Sequence, residues 1–236
     1  MITRRRYRQK IAYIANRSET RDEWPRLTIY IGDRRSGKTN NALVDAEILL
    51  ELTPADHIYF VVPANVSETP IDDELSVIGI TDNKAFVKRL SRIRNSVVII
   101  DEALIAVNAR DRMRSVGTAI AKKIAIAAHR RTFFMLTTQA HRIDVQIREE
   151  ADVVVIKKTK LTRLTLLDRY PKRIIKINDA FRRWSSLYGQ QRTIETLKKT
   201  EAITIGIVTD FVYNVPKSKY IDKLSKRANE ADIRLQ

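Results

Sequence analysis

Apolar residues arrive along this chain in two rhythms, short unbroken runs and longer stretches at helical spacing. Leu27 to Ile31 is a short, mostly β-branched run followed by glycine, which reads as a buried strand. Between Thr39 and Leu52 the apolar positions Ala42, Leu43, Ala46, Leu49 and Leu50 follow a helical period, until Thr53-Pro54 stops it. Ile58 to Val62 is a second strand, ended by Pro63. A polar loop with Pro70 and Asp72-Asp73 then leads to a helix predicted from Asn83 to Ile93. Ser96 to Ile100 is a third buried strand, and an Ala- and Ile-rich helical region is predicted between Arg114 and Arg130. Thr132 to Thr137 and Val153 to Ile156 complete the set of buried strands, with one short helix from Val145 to Ala151 between them.

Strands alternating with helices predict an α/β fold, a mostly parallel sheet flanked by helices. Beyond about residue 160 the pattern weakens. Ile203 to Val208 and Phe211 to Val215 predict a strand or hairpin, and Tyr220 to Ile233 a charged amphipathic helix. The expected organisation is a basic N-terminal arm over 1–26, with a short helix around Tyr7 to Asn16, a core over 27–160, and a basic C-terminal extension over 161–236 packed on the core.

Composition narrows the class. The chain has 236 residues, 44% hydrophobic and 31% charged, enough for one α/β domain with a full core plus small additions. No apolar run reaches the roughly 18 residues that a transmembrane helix needs, and the basic start is not followed by a signal-peptide apolar segment. With no cysteine, disulfide frameworks and thiolate metal sites are excluded. The three histidines, His57, His129 and His141, are scattered and read as structural.

Charge points to a partner. The formal net charge is +16, and it is unevenly spread. Residues 1–26 hold eight Lys/Arg against three Asp/Glu, and residues 157–200 hold thirteen against three. Two basic segments flanking a core suit a long polyanion such as DNA or RNA, whose counterions are released on contact.

The candidate chemistry begins directly after the first strand. Gly32-Asp33-Arg34-Arg35-Ser36-Gly37-Lys38-Thr39 fits G-x-x-x-x-G-K-[ST] in full, between a predicted strand and a predicted helix. Glycines let backbone N–H groups turn inward around phosphate oxygens, and the helix N-terminus adds a positive dipole end. Lys38 is placed to reach the β- and γ-phosphates, and the Thr39 hydroxyl to ligate Mg²⁺. The nucleotide contacts are expected from Gly32 through Thr39 and the next residue, Asn40.

Two further elements belong with this loop. Ser96-Val97-Val98-Ile99-Ile100-Asp101-Glu102 is an apolar strand ended by adjacent acids, the Walker B pattern. Asp101 is expected to hold the Mg²⁺ shell and Glu102 to orient the attacking water, which favours hydrolysis over transfer. Met135-Leu136-Thr137-Thr138-Gln139 ends another buried strand in a polar cluster. Strand C-termini of a parallel sheet share one ligand-binding edge, so Gln139 is placed to bond the γ-phosphate or its water.

These elements together resemble the HerA–FtsK superfamily of P-loop ATPases, over about residues 27–156. Ile99-Ile100-Asp101-Glu102-Ala103, Ala128-His129-Arg130-Arg131 and Ile147-Arg148 to Ala151-Asp152 add to the likeness. In its compact length the chain is similar to the genome-packaging ATPases of tailless icosahedral viruses with internal membranes. The resemblance implies an extra strand, ending at Thr137, between the Walker A and Walker B strands. It implies ATP and Mg²⁺ bound at the interfaces of a homo-oligomeric ring, with an arginine supplied by the neighbour. Arg130 and Arg131 lead as candidates for it, ahead of Arg110, Arg112 and Arg114. It also implies double-stranded DNA as partner, a capsid or membrane protein at a portal vertex, and a place in the host cytoplasm or the virion.

The leading functional expectation is therefore an ATP-hydrolysing motor that translocates or packages double-stranded DNA. One alternative is a membrane-associated assembly or secretion ATPase resembling Zot-type proteins of filamentous phages. Another is a non-motor, DNA-binding regulatory ATPase. A GTPase is disfavoured because Asn83-Lys84-Ala85-Phe86 lacks the acid of the guanine-reading N-K-x-D motif.

Overall fold

The computed structural model describes residues 27–62, 68–79, 88–101, 130–139, 151–164, 171–187, 189–205 and 212–230. The arm over 1–26, the helix expected around Tyr7 to Asn16, and Glu102 lie outside the described residues, as do the helical region expected between Arg114 and Arg130, apart from Arg130 itself, and the helix expected from Val145 to Ala151, apart from Ala151 itself.

The apolar run Leu27–Ile31 forms strand β1 at the heart of the sheet. It pairs in parallel with β6 (Thr132–Thr138) on one side and β7 (Val153–Ile156) on the other. Because successive side chains of a strand point to opposite faces, Leu27, Ile29 and Ile31 enter one core and Tyr30 the other. β6 in turn pairs in parallel with β5 (Ser96–Ile100), and β5 with β2 (His57–Val62). The strand ending in the polar cluster is thus inserted between β1 and β5, as the resemblance implied.

The segment around Pro70 and Asp72-Asp73, expected as a polar loop, is instead a hairpin. β3 (Thr69–Asp72) runs antiparallel to β4 (Leu75–Gly79), and β4 extends the sheet parallel to β2. β3 is the margin of the sheet, where a proline without an N–H and half-exposed polar residues are tolerated. Residues 88–90 are helical, and the rest of the predicted 83–93 helix is described only from 88 onward.

After residue 160 the chain is more ordered than its weak periodicity suggested. A single turn, α2 (Leu161–Leu164), precedes a sixteen-residue helix, α3 (Pro171–Ser186). Ile177, Asn178, Phe181 and Ser185 of α3 turn inward, while Lys176, Arg182 and Arg183 are exposed. Where a strand or hairpin was expected, β8 (Glu201–Ile205) and β9 (Val212–Asn214) pair antiparallel. β8 pairs antiparallel with β7, so these strands continue the same sheet. Helix α4 (Ile221–Glu230) ends the described chain.

Among the described residues the sheet has nine strands in the order β3-β4-β2-β5-β6-β1-β7-β8-β9. Helix α1 (Lys38–Leu52) and α4 cover the Tyr30 face, where Ala42, Leu43, Phe60, Met135, Tyr213 and Leu224 pack together. Phe181 of α3 belongs to the opposite core, with Ile29, Ile100, Leu136 and Ile156. The architecture is a mostly parallel sheet flanked by helices, with antiparallel strands at both margins. No helix among the described residues is long and apolar enough to cross a membrane.

Candidate nucleotide-binding site

The six parallel strands β4, β2, β5, β6, β1 and β7 end on one edge, and the glycine loop leaves β1 there. Gly32 N–H donates to the carbonyl of Thr138 at 3.2 Å, and Asp33 N–H to that of Lys158 at 2.9 Å. The loop is thereby pinned to the strands on both sides of β1. Gly32 also approaches its surroundings closely, since a Cβ there would lie 2.5 Å from Ser36 Oγ and 2.7 Å from Lys157 Cβ. Gly37 has φ of +88° and opens α1; a Cβ on it would stand 2.6 Å from the Lys199 carbonyl. With Arg35 also left-handed at φ of 58°, the loop alternates in the manner that turns successive N–H groups into a concavity for anions.

Lys38 is 5% exposed, and its ammonium donates to the carbonyls of Gly32 at 3.0 Å and Asp33 at 2.9 Å. The lysine therefore closes the loop on itself and holds its positive charge where a phosphate would sit. Ser36 Oγ is buried with no hydrogen-bond partner among the described residues. Arg34 and Arg35 are exposed at the loop tip.

Asp101 follows β5 on the same edge and is 4% exposed. Thr137 Oγ1 donates to Asp101 Oδ1 at 2.5 Å. β6 thus touches both halves of the site, with Thr137 on the carboxylate and the Thr138 carbonyl on Gly32. Gln139, at the end of β6, is 7% exposed, and its Nε2 has no hydrogen-bond partner among the described residues. The Ser36 hydroxyl, a buried donor in the loop of Lys38 and at the N-terminus of α1 with no partner among the described residues, fits a phosphate, and Gln139 Nε2 adds a second such donor at the end of the adjoining strand.

The oxygen donors at this edge fit Mg²⁺. Thr39 supplies a hydroxyl and Asp101 a carboxylate, and Mg²⁺ favours one or two such ligands plus phosphate oxygens and waters. No cluster of three or more His, Cys, Asp or Glu suited to a metal occurs among the described residues. The Thr137 hydrogen bond fixes the rotation of the Asp101 carboxylate.

Arg130 and Arg131 stand at the opposite end of β6 from Gln139. Seven strand residues separate the two edges by roughly 20 Å. Neither arginine is within reach of the loop of its own chain. Arg130 Nη1 also donates to the Ser91 carbonyl at 2.7 Å, whereas Arg131 is exposed.

Sequence reasoning missed several neighbours of the loop. Lys157 directly follows four buried aliphatic residues of β7, and a lysine continuing such a run was the available signal. It is fully buried, its Cβ near Gly32 and its Cε near Gly37, and its Nζ has no hydrogen-bond partner among the described residues. Burial lowers its pKa to about 7, against the pull of Asp45 and Glu201. Asp45 accepts from Tyr30 Oη at 2.6 Å and from Asn41 Nδ2 at 3.2 Å. Burial, reinforced by Asp45, keeps the Tyr30 hydroxyl well above the ordinary phenol range.

The side chain of Asn40 goes to the C-terminal segment. Its Nδ2 donates to the Pro216 carbonyl at 2.7 Å, and its Oδ1 accepts from Ser218 N–H at 2.9 Å. Two turns along α1, Glu47 accepts from the Ser218 hydroxyl and from Lys219 N–H. Between the loop and this segment lies a cavity of about 630 Å³.

A glycine loop between a central strand and a helix, with a carboxylate two strands away on the same edge, defines the P-loop NTPase fold. Solved structures bear out that architecture. The DNA-packaging ATPase B204 from Sulfolobus turreted icosahedral virus aligns with a TM-score of 0.53 at 16% identity, over 81% of this chain and 97% of that one. The genome packaging NTPase B204 from Sulfolobus turreted icosahedral virus 2, in complex with ATP-gammaS, aligns at 0.50 and 14% identity, over 81% and 97%. The cytoplasmic domain of the type VII secretion ATPase EccC from Thermomonospora curvata aligns at 0.50 and 11% identity, over 81% of this chain and 24% of that one. No protein-family model matches the sequence, and neither does any curated protein.

Proposed function

We propose that this protein is an Mg²⁺-dependent ATPase whose hydrolysis drives double-stranded DNA, in the setting of viral genome packaging. The observation that carries the reading is the convergence, through β6, of the glycine loop and the buried Asp101 carboxylate. Lys38 and the loop amides hold the phosphates, Thr39 and Asp101 the metal, and Gln139 the γ-phosphate or its water. Glu102, next in the chain after Asp101, polarises that water. Arg131, with Arg130 beside it, reaches the phosphates of a neighbouring subunit in a homo-oligomeric ring.

The net charge of +16 supports a nucleic-acid track. The likeness to B204, whose name states DNA packaging, supports the motor. The discriminating experiment measures ATP turnover with and without duplex DNA, alongside the mass of the assembly in solution. Stimulation by duplex DNA in a ring-sized assembly is expected. Full turnover by a DNA-free monomer overturns the motor, and recruitment to anionic liposomes in preference to DNA at matched salt favours the secretion-type alternative.

A further inference from the structure

The site described so far accounts for phosphates and metal, and its groups beyond the loop itself lie on one side of β1. Asp101, Thr137 and Gln139 come from β5 and β6. The cavity opens from the same loop on the other side, toward β7, β8 and β9. Its walls are the start of α1 and, facing it, Lys199, Val215, Pro216, Lys217, Ile221 and Asp222. A triphosphate whose terminal phosphate faces Asp101 leaves the rest of its molecule on this side.

The wall changes character with distance from the loop. Near Gly37 it is polar, with the Lys199 carbonyl against the glycine. Further out, Val215, Pro216 and Ile221 present apolar surface, and an exposed Lys217–Asp222 ion pair at 2.6 Å marks the rim. A volume of about 630 Å³ lies within the roughly 300–1,000 Å³ of small-molecule sites, which join apolar walls to a few fixed polar groups.

The wall is also registered to the loop. Asn40 is the residue after Thr39, and its amide grips both sides of Lys217 through the Pro216 carbonyl and the Ser218 N–H. Glu47 holds Ser218 and Lys219 from the same helix. The helix that presents its N-terminus to phosphate therefore sets the position of the apolar wall.

We infer that residues 215–222 form the base-and-ribose subsite for a nucleoside triphosphate, with Pro216 and Ile221 as the apolar contacts and Asn40 as the positioning residue. The inference rests on the nucleotide reading of the loop, and inorganic tripolyphosphate separates the two. Tripolyphosphate carries the phosphates without base or sugar, so it reports on the loop alone.

The experiment compares Mg·ATP with Mg·tripolyphosphate by calorimetry, in the wild type and in Pro216→Gly and Ile221→Ala. Each variant is expected to bind ATP about tenfold more weakly, equivalent to about 1.4 kcal/mol, with tripolyphosphate affinity unchanged. Asn40→Ala, which unties the wall while leaving its residues in place, is expected to shift ATP binding in the same direction. ATP binding no tighter than tripolyphosphate in the wild type overturns the subsite and leaves the loop intact. Equal losses for both ligands in the Pro216 and Ile221 variants overturn it too, since the segment then only braces the loop. Failure of the wild type to bind either ligand sinks the phosphate reading itself.

Discussion

Thr137 donates a hydrogen bond from its hydroxyl to Asp101 across the boundary between β6 and β5, at 2.5 Å and out of reach of water. The bond occupies one lone pair of Oδ1 and orients the carboxylate. Thr137→Val keeps the shape and removes the donor. It is expected to weaken the Mg²⁺ dependence of turnover by roughly 10–100-fold, with Thr137→Ser close to wild type. A magnesium titration of ATP hydrolysis reads this directly; equal activation curves for all three proteins would exclude the role.

Lys38 and Glu102 are expected to fail differently. Lys38→Ala removes the ammonium that spans Gly32 and Asp33, so nucleotide binding or turnover is lost. Glu102→Gln keeps the loop and the metal ligands, so ATP still binds while hydrolysis slows about 10²–10⁴-fold. Single-turnover hydrolysis beside equilibrium binding separates the two, and normal turnover in either variant refutes its assignment.

Gly37 is expected to tolerate no side chain. Its φ of +88° strains any L-residue, and a Cβ would meet the Lys199 carbonyl at 2.6 Å. Gly37→Ala is predicted to cost more than about 1 kcal/mol of stability and to weaken nucleotide binding with it. Urea midpoints and ATP titrations of the same preparation provide the check.

Lys157 produces a prediction of opposite sign. Its amine has a pKa of about 7 when folded, against an ordinary value of 10.5. Below pH 7 the amine is charged in both states, and the folded chain bears the full cost of burying it. Between pH 7 and 10.5 the unfolded chain holds the proton that the folded one has released, so stability rises with pH through that window. Lys157→Met removes the cost, while Asp45 keeps Tyr30 and Asn41 and Glu201 keeps Arg192. The variant is expected to be more stable at neutral pH by about 1–4 kcal/mol, with the gain shrinking toward pH 10.5. A constant difference across that range, or a loss of stability, would contradict it.

The strands of the parallel core could be read because strands buried on both faces need nearly continuous apolar runs. Leu27–Ile31, Ser96–Ile100 and Val153–Ile156 have the limits their composition suggests. β3 and α3 escaped for a shared reason, since each buries only one side. Pro70 and Asp72 suit a sheet margin as well as a loop, and α3 spends only a few inward positions among many basic ones. The phosphate loop and Asp101 are legible because each motif is contiguous in the chain. The Asn40–Ser218 contact joins residues 178 apart, and no local pattern announces it. Lys157 offers only a weak signal, a lysine continuing a buried run, because such a lysine normally reaches solvent and only the surrounding elements reveal that this one does not.

The path of the chain after β9 has a mechanical consequence. From one margin of the sheet it crosses α1 through Asn40 and Glu47. It then fastens to the β3–β4 turn at the other margin, where Glu74 accepts from Lys219 and Tyr220. That acceptor and burial together push the Tyr220 hydroxyl up to about 12, burial foremost, so the anchorage keeps its proton throughout the neutral range. Tension applied at the carboxyl end therefore meets the β3–β4 hairpin first, through Lys223 on Asp72 and Lys219 on Glu74, and is shared with the sheet margin before it reaches the Glu47 and Asn40 contacts beside the cavity.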